Sequence, residues 1–577
     1  MFINGSPLNS LPLAGTAGAS GADPVPVVVG PSVVWAARVM LGGDDVTAQI
    51  TGQVRIERQE SSAAIAEFSV WLPPEPVDVA SWTGRSVEIF YRELVEGTWI
   101  EERRFSGWLE QPAFDPRNRI VSCEATDRLQ DLIEAMEITQ IDALIGGRWS
   151  DDVYDAVEGR SRWDYAQERL GSFPAALDRS VDGTLRVTAW RSVAPTWVFG
   201  AGTTVDSSLS FDPAKLKDRV NRIELSIDYR YSRLRQRNQS WSWQHPDIDG
   251  ISLDNSFCLW RHNTTELPDV SMVVDAVDSS GYKVLSGAEY LRVPLSGVYC
   301  DPPAGWTNEY PDLLLAAGVV GGMRWAQPVT EQYRLTVKAP TSIAQAGEVL
   351  RRDGTAFETE TDRASEWEGS TFVSIDEDAV QDDLNDWVIE ERDDDRLSAS
   401  VLCQVAAAST SILAAHRENH VTWQAPTSVT LGIDLVHTLR IEDRCRAQGK
   451  LFSIIDEWDL EGQTALTTLT IAVSRGGGGS SSPLQMPSPP NTQPTGFGGG
   501  SHSLPTQLRG RGLMDYDDEL DGFSGNYDEV DIGTPIEAFP RRFQVTAPEV
   551  PAEHRDEITG ERQAVFDIAI PDDLLEL

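Results

Sequence analysis

The sequence predicts a mainly β protein with minor α content: two antiparallel β-barrels per chain, a helical insert and an accessory β-rich insertion. Three observations predict this class. Apolar and polar residues alternate in short runs between residues 35 and 125, again between 185 and 231, and again between 439 and 473. A period of two places one face of a strand in a core and the other in solvent.

The first region is expected to be a barrel over residues 32–126. Its alternating apolar positions define successive strands around Phe68, Ile89, Leu109 and Cys123. Turn-forming clusters of Gly, Asp, Pro and Asn separate these strands, as antiparallel connections require.

The period then changes to 3.6, which predicts a helical segment over residues 127–180. Four apolar residues fall at i, i+3, i+4 and i+7, with Asp127 placed to cap the first turn: Leu129, Leu132, Ile133 and Met136. A second barrel is expected from two pieces, 181–244 and 396–475, of which the latter opens with a long apolar-striped helix. Residues 245–395 between them are expected to be the accessory insertion.

The two ends have other compositions. Residues 1–31 are rich in Gly, Ala and Pro and are expected to be an extended arm that orders against a neighbour. Residues 476–512 have the composition of a Gly/Ser/Pro linker that forms no core. Residues 513–577 are expected to be an acidic tail that docks on another surface, because they are too few for a large domain.

Charge excludes several classes of partner. The 577 residues include 48 Lys and Arg against 90 Asp and Glu, which gives a net charge of −42. Proteins that hold nucleic acid nonspecifically, or dock on anionic lipid, need a basic surface. The sequence shows no signal peptide and no run of about 18 apolar residues, so we expect assembly in the cytoplasm without stable membrane insertion.

The seven histidines offer few candidates for catalytic or metal-binding groups. His416 and His420 share a helix face, with His437 as a possible third metal ligand, but Glu418 is displaced by one position from the glutamate of H-E-x-x-H. Residues 517–528 follow a calcium loop only loosely. No phosphate-binding or serine-hydrolase motif occurs. We therefore expect no enzyme, no catalytic residue, no metal site and no cofactor.

Two residue types leave alternatives open. The five cysteines are widely spaced, which favours buried free thiols over disulfides or zinc. The 18 tryptophans suit aromatic cores and subunit contacts, and less often a carbohydrate platform. Trp241 and Trp243 share one strand face in SWSWQ and form the candidate interaction surface if that face is exposed.

Several segments together resemble the hub proteins of long-tailed phages. In the first barrel these are residues 45–72, then SWTGRSVEIFY at 81–91, then 103–132 with the pattern F-x-G-x-L and a D-R-x-x-x-L helix. Residues 182–190, 218–231 and 421–475 are similar to the second hub barrel. The opening MFINGSPLNSLPLAG also resembles the start of siphophage tail-tip proteins.

The resemblance implies two tail-tube-like barrels per chain and a homotrimeric hub at the distal end of a siphophage tail. Such a hub would adapt a sixfold tube to a threefold tip and form part of the channel for DNA ejection. Its partners would be tail tube and distal tail proteins, other baseplate or fibre proteins, and genomic DNA that passes without specific binding. Some phage tail-tip proteins carry an iron–sulfur cluster, so four of the scattered cysteines could hold one.

Two other functions stay open on the sequence alone. The chain could be a distal tail or receptor-binding protein that uses the 245–395 insertion to recognise a host cell-surface structure. It could also be a tail-associated wall hydrolase, although only the histidine cluster would support that function.

Overall fold

The computed structural model describes residues 24–29, 34–244, 269–292, 314–359, 363–371, 374–494, 501–503, 523–525, 540–543 and 549–577. The strands are β1 Val25–Pro26, β2 Val34–Leu41, β3 Asp44–Asp45, β4 Ile50–Gln59, β5 Ile65–Trp71, β6 Ser86–Val95, β7 Thr98–Asp115, β8 Ile120–Thr126, β9 Ala175–Arg179, β10 Leu185–Ala189, β11 Trp197–Gly200, β12 Ser210–Asp212, β13 Arg222–Gln244, β14 Lys283–Val284, β15 Glu289–Arg292, β16 Leu314–Lys338, β17 Leu350–Glu358, β18 Val380–Gln381, β19 Trp387–Glu390, β20 Asn419–Pro426, β21 Thr438–Glu442, β22 Arg446–Asp459, β23 Thr464–Val473, β24 Ser501–Ser503, β25 Phe523–Gly525, β26 Pro540–Phe543, β27 Ile558–Asp567 and β28 Leu575–Glu576. The helices are α1 Leu129–Glu134, α2 Ile138–Ile145, α3 Arg162–Gly171, α4 Val270–Ser279, α5 Pro340–Ala346, α6 Arg363–Gly369 and α7 Asp394–Arg417.

The prediction of a mainly β chain with minor α content is confirmed. Fifteen strands form one curled sheet whose main path is β1-β11-β21-β22-β4-β5-β8-β7-β6-β2-β3, with β12, β20, β23 and β28 joined at the side. The sheet has two limbs, each curled into a half-barrel. Limb one contains β2 and β4–β8, and limb two contains β11, β12 and β20–β23.

Each limb has its own apolar core on the inner face of the strands. Phe68, Ile89 and Phe105 are buried in the core of limb one. Phe199 and Trp423 are buried in the core of limb two and meet in an edge-on contact with ring centroids 5.3 Å apart. Because alternate residues of each strand face inwards, the period of two in the sequence corresponds to these two cores.

A separate nine-stranded sheet is built on a long antiparallel ribbon of β13 and β16. The pairing runs without a break from Arg222 opposite Lys338 to Gln244 opposite Ala316. This corrects two predictions: residues 222–244 do not complete the second barrel, and the 245–395 insertion is no accessory, since it supplies the central strand β16. The alternating pattern identifies β13 as a strand but carries no information about its partner.

Helix α7 packs over the part of this ribbon formed by residues 223–231 of β13 and 329–337 of β16. Its apolar stripe, including Leu397, Val401 and Ile412, packs against Ile223 and Tyr229 of β13 in one buried core. By length and composition α7 is the one helix among the described residues that could span a membrane. However, 67% of its most apolar window is buried inside the protein, which is the environment of a core helix.

The terminal segments pack on this same chain. In the arm, β1 pairs in parallel with β11, while residues 1–23 lie outside the described part. The described part of the predicted linker contributes to a core, because Leu484 and Met486 pack against the cluster under α7, so the expectation of a coreless linker was wrong there. In the tail, β27 pairs with β16 and β28 pairs with β22.

The three short helices α1–α3 form the predicted helical segment beside limb one. Leu129, Ile141 and Leu170 are buried in their shared core. The chain enters this segment at Asp127, which is 3% exposed and accepts a hydrogen bond from the Leu129 main-chain N–H at 3.1 Å. Burial raises the pKa of the Asp127 carboxyl to about 6.

This raised pKa predicts a pH dependence of stability. The fold favours the protonated carboxyl, so the contribution of Asp127 to the free energy of unfolding should be greatest below the usual value of 3.8 and fall as pH rises through about 6. The change should be about 2–3 kcal/mol. Asp127→Asn should remove most of it and stabilise the protein above pH 7, as measured by urea unfolding across pH. Asp131→Asn, at an exposed position of α1, is the matched control, and an unchanged profile in Asp127→Asn would refute the assignment.

Candidate functional site: a repeated half-barrel and its buried joint

The two limbs repeat one order of elements. Each has a strand, a short 3-10 turn and then three further strands. The units are β5, Val79–Trp82, β6, β7 and β8 in limb one, and β20, Thr427–Val429, β21, β22 and β23 in limb two. The pairings match as well, because the first strand of each unit pairs with its last, and the last three pair in sequence.

The same local signature occurs at the same place in both units. Gly107 of β7 and Gly449 of β22 lie opposite Val87 and Leu439 respectively. In each unit a leucine follows two residues after the glycine and directly precedes a β-bulge against the last strand. A bulge bends a strand at a defined point. The signature therefore sets the same curl in both limbs.

Only glycine fits at this position. A Cβ on Gly107 would lie 2.4 Å from the Thr126 carbonyl oxygen, and one on Gly449 would lie 2.2 Å from the Ala472 carbonyl oxygen. These contacts are with backbone, which cannot rotate away as a side chain can. The close approach of the two strands at each bulge thus depends on glycine.

The limbs are joined by a strand that belongs to both. Residues 446–450 of β22 pair with β21 inside limb two. Beyond a bulge, Ser453–Asp459 pair with Gln59–Gln53 of β4 in limb one. Trp458 of β22 is buried in the core of limb one. The backbone ladder therefore runs continuously from one half-barrel into the other.

Ion pairs with little exposure surround this junction. Asp434 of limb two accepts from Arg58 Nη1 at 2.8 Å and from Arg186 Nη1 at 2.7 Å. Arg186, on β10, also contacts Asp178 at 2.6 Å. Burial alone would raise the pKa of Asp434, but the two guanidinium groups hold it well below its usual value. One carboxylate thus ties limb one, limb two and the β9–β10 hairpin together.

Two further buried clusters bridge the limbs. Lys450 Nζ of limb two lies 2.5 Å from Glu60 of limb one, and Arg417 at the end of α7 contacts the other oxygen of Glu60 at 2.7 Å. Arg104 of limb one makes two hydrogen bonds of 3.0 Å to Asp456. A partner removed from such a cluster leaves a buried charge uncompensated. The clusters therefore specify a single mutual placement of the limbs.

The nine-stranded sheet contains a second set of buried charges. Arg233, Arg235 and Arg237 alternate along one face of β13 and are each 1% exposed or less. Asp386, itself fully buried, binds Arg237 through two hydrogen bonds of 2.6 and 2.7 Å and also contacts Arg235. These three arginines therefore lie inside the fold, paired with carboxylates, rather than on the surface.

The predicted interaction surface is corrected in part. Trp241 is 2% exposed and meets Tyr282 edge-on with ring centroids 5.4 Å apart, so it belongs to a core. Trp243 lies opposite Ala317 on the same ribbon. Alternation shows that two residues share a strand face but not whether the face is covered.

The predicted histidine cluster makes structural contacts. His416 donates from Nδ1 to the Ile412 carbonyl at 2.8 Å, and its Nε2 accepts from Ser342 Oγ at 2.7 Å. His420 stacks on Phe452, and His437 contacts Trp197 edge-on. Burial lowers the pKa of all three imidazoles. Over the described ranges, no three metal-ligating side chains come together.

The remaining candidates are distributed through the fold or lie outside the described part. Cys123, Cys403 and Cys445 are buried free thiols. Cys123 lies in the core of limb one and Cys445 in that of limb two. Cys258, Cys300 and the loose calcium pattern at 517–528 fall outside the described residues.

Comparison with known proteins gives distant structural neighbours. No protein-family profile and no curated protein matches the chain. Similar solved structures include the tail protein from Neisseria meningitidis MC58, at 10% identity and TM-score 0.34 over 76% of this chain and 96% of that one. The 43 kDa tail protein of prophage MuSo2 from Shewanella oneidensis has 9% identity and TM-score 0.34 over 76% and 97%. The prophage tail protein gp18 from Listeria monocytogenes EGD-e has 7% identity and TM-score 0.28 over 75% and 94%.

All three neighbours are tail proteins by description. Similarity at these TM-scores places no residue and assigns no role. The functional interpretation of this chain therefore rests on the geometry of its own repeated half-barrels.

Substitution of the bulge glycines tests the close approach of the strands. Gly449→Ala and Gly107→Ala should each lower the free energy of unfolding by about 1–3 kcal/mol, because the new methyl group meets backbone. Gly200→Ala on β11 is the control, since no atom lies within 4 Å of its added Cβ. Equal stability of all three variants in urea unfolding would contradict a glycine-dependent curl.

Substitution of Asp434 tests the joint. Asp434→Asn should cost about 3–5 kcal/mol at neutral pH because two largely buried guanidinium groups lose their shared carboxylate. In the wild type this contribution should be lost as pH falls below the usual aspartate value of 3.8, because the folded pKa is lower still. Asp206→Asn is the control, since it removes an exposed 2.6 Å pair with Arg444 and should cost at most about 1 kcal/mol. Similar losses in both variants would argue against the joint.

Proposed function

We propose that the chain is a structural virion protein, the homotrimeric tail hub at the distal end of a siphophage tail. The observation that carries the proposal is the repetition of one half-barrel within a single chain. Three copies of such a chain present six similar units in a ring, although the assembly has only threefold symmetry. A ring of this kind can match a sixfold tube on one side and a threefold tip on the other.

The rigid joint supports this role. Six units form an even ring only if the angle between the limbs is the same in every copy. A continuous strand ladder with buried ion pairs across it holds that angle, since each charge is satisfied in one arrangement only. Two independent barrels joined by a flexible linker would not keep this angle constant.

The charge distribution supports a channel through which DNA passes without being held. Each copy carries −42, and arginines such as Arg104, Arg233 and Arg235 are buried against carboxylates rather than exposed. A surface with excess carboxylate repels phosphate and releases no counterions to it. DNA would therefore slide through the ring during ejection.

The proposed partners follow from the proposed position. Tail tube and distal tail proteins would contact one face of the ring, and other baseplate or fibre proteins the other. The protein would be assembled in the host cytoplasm and reside in the virion at the tail tip. We propose no enzymatic activity and no cofactor, because the histidines that the sequence offers for chemistry are engaged in structural contacts.

The alternative of a distal tail or receptor-binding protein has less support. It relied on the tryptophans of the 245–395 insertion as a binding surface, and two of these, Trp325 and Trp367, are each only 4% exposed. The insertion also supplies the central strand β16 rather than a separate module.

Native mass spectrometry and electron microscopy test the proposed function. We expect the purified full-length protein to give a species of three times the chain mass, and class averages to show a ring with six lobes and a central opening. Asp434→Asn should reduce the ring, and Asp206→Asn should not. A monomer at all concentrations, or a closed globule in the images, would refute the proposal.

A further inference from the structure

The two repeated units differ most in one hairpin. In limb two, β21 and β22 end their pairing at Glu442 opposite Arg446, close to the bulge. In limb one, the equivalent β6 and β7 continue to Val95 opposite Thr98. Limb one therefore carries a longer hairpin than its counterpart. We name residues 92–102 the hairpin tip.

The hairpin tip is apolar and acidic at once. Val95, Trp99 and Ile100 are exposed to 39, 41 and 53% respectively. The same eleven residues include four glutamates and a single cation, Arg92, whose guanidinium lies over the Trp99 ring. Exposed clusters of large apolar residues mark contact sites, because a folded chain gains nothing by displaying them.

A complementary surface lies beside limb two. Residues 213–219, which we name the lysine turn, follow edge strand β12 and carry three cations against one carboxylate. Lys215 and Lys217 are exposed, and Leu216 between them is 57% exposed. These are two of only five lysines in the chain. In a protein with a net charge of −42, an exposed leucine flanked by two lysines forms a local surface that is both apolar and positively charged.

We propose that the hairpin tip of one copy docks on the lysine turn of a second copy of this chain. The inference rests on the proposed homotrimer and identifies its contact. Opposite charges steer the two surfaces together, and the apolar side chains supply the buried area. No part of the chain that the structure describes covers either surface, so the two do not satisfy each other within one copy.

The arrangement accounts for ring closure. The hairpin tip belongs to limb one and the lysine turn adjoins limb two, so the contact joins unlike surfaces of neighbouring copies. Such a heterologous contact generates a closed ring when the rotation between copies divides a full turn, and otherwise an open filament. The fixed angle between the limbs is what would set that rotation.

Cysteine cross-linking tests the contact directly. The chain carrying both Val95→Cys and Leu216→Cys should form disulfide-linked dimers and trimers under mild oxidation. A mixture of the two single variants should give a dimer containing one of each. Wild-type protein, treated identically, controls for its native thiols. Cross-linking of Val95→Cys with itself, or no cross-link in the double variant, would overturn the proposed contact.

Charge reversal gives an independent measurement on the same surfaces. Lys215→Glu with Lys217→Glu should weaken trimer formation at least tenfold in native mass titrations, and added Glu96→Lys with Glu101→Lys should restore it. Lys283→Glu, at a 59% exposed lysine on β14, is the matched control. A reversal without effect would count against the contact.

The outcomes separate the two proposals. If the wild type forms trimers but neither cross-linking nor charge reversal behaves as described, the hub proposal stands and this contact is wrong. If the wild type forms no trimer at all, the hub proposal fails. Circular dichroism of each variant checks that the fold is intact. We expect no change, because all substituted residues are on the surface.

Discussion

Strand β22 is the element on which the rest of the structure depends. It pairs with β21 of limb two through its first half and with β4 of limb one through its second, while β23 of limb two pairs with it from Lys450 to Asp459. Backbone hydrogen bonds alone would leave the junction free to twist, but the carboxylates of Asp434, Glu60 and Asp456 each hold cations across it. Since a buried charge without its partner is costly, the two limbs have one relative position. The proposed ring of three chains requires that position.

Local structure is readable from the sequence because it depends on neighbours along the chain. The period of two locates β5–β8 in limb one and β21–β23 in limb two, and the period of 3.6 locates α1 and α7. The choice of strand partner is not readable, because it depends on packing between distant segments. Thus the pattern identifies β13 as a strand but assigns it to the wrong sheet, and it misses β16 within a region that looks irregular.

The candidate site is readable in part for the same reason. The F-x-G-x-L pattern at Gly107 is local, and its counterpart at Gly449 could have been found by aligning the two halves of the chain. The ion pairs at the joint connect residues hundreds of positions apart, and in a chain with 90 acidic residues no spacing distinguishes the few that are buried. The prediction for Trp241 was wrong because burial of a strand face is decided by whatever covers it.

The pairing of β4 with β22 has a consequence for synthesis on the ribosome. After β4 emerges, roughly 400 residues must be translated before its partner exists, which takes about 20–80 s at ordinary elongation rates. During that interval one edge of β4 is an unpaired template for other nascent chains. Limb one therefore has an unpaired edge on β4 until β22 of limb two has been synthesised. Chaperone binding to that edge during the interval would determine how much of the protein reaches its assembled form.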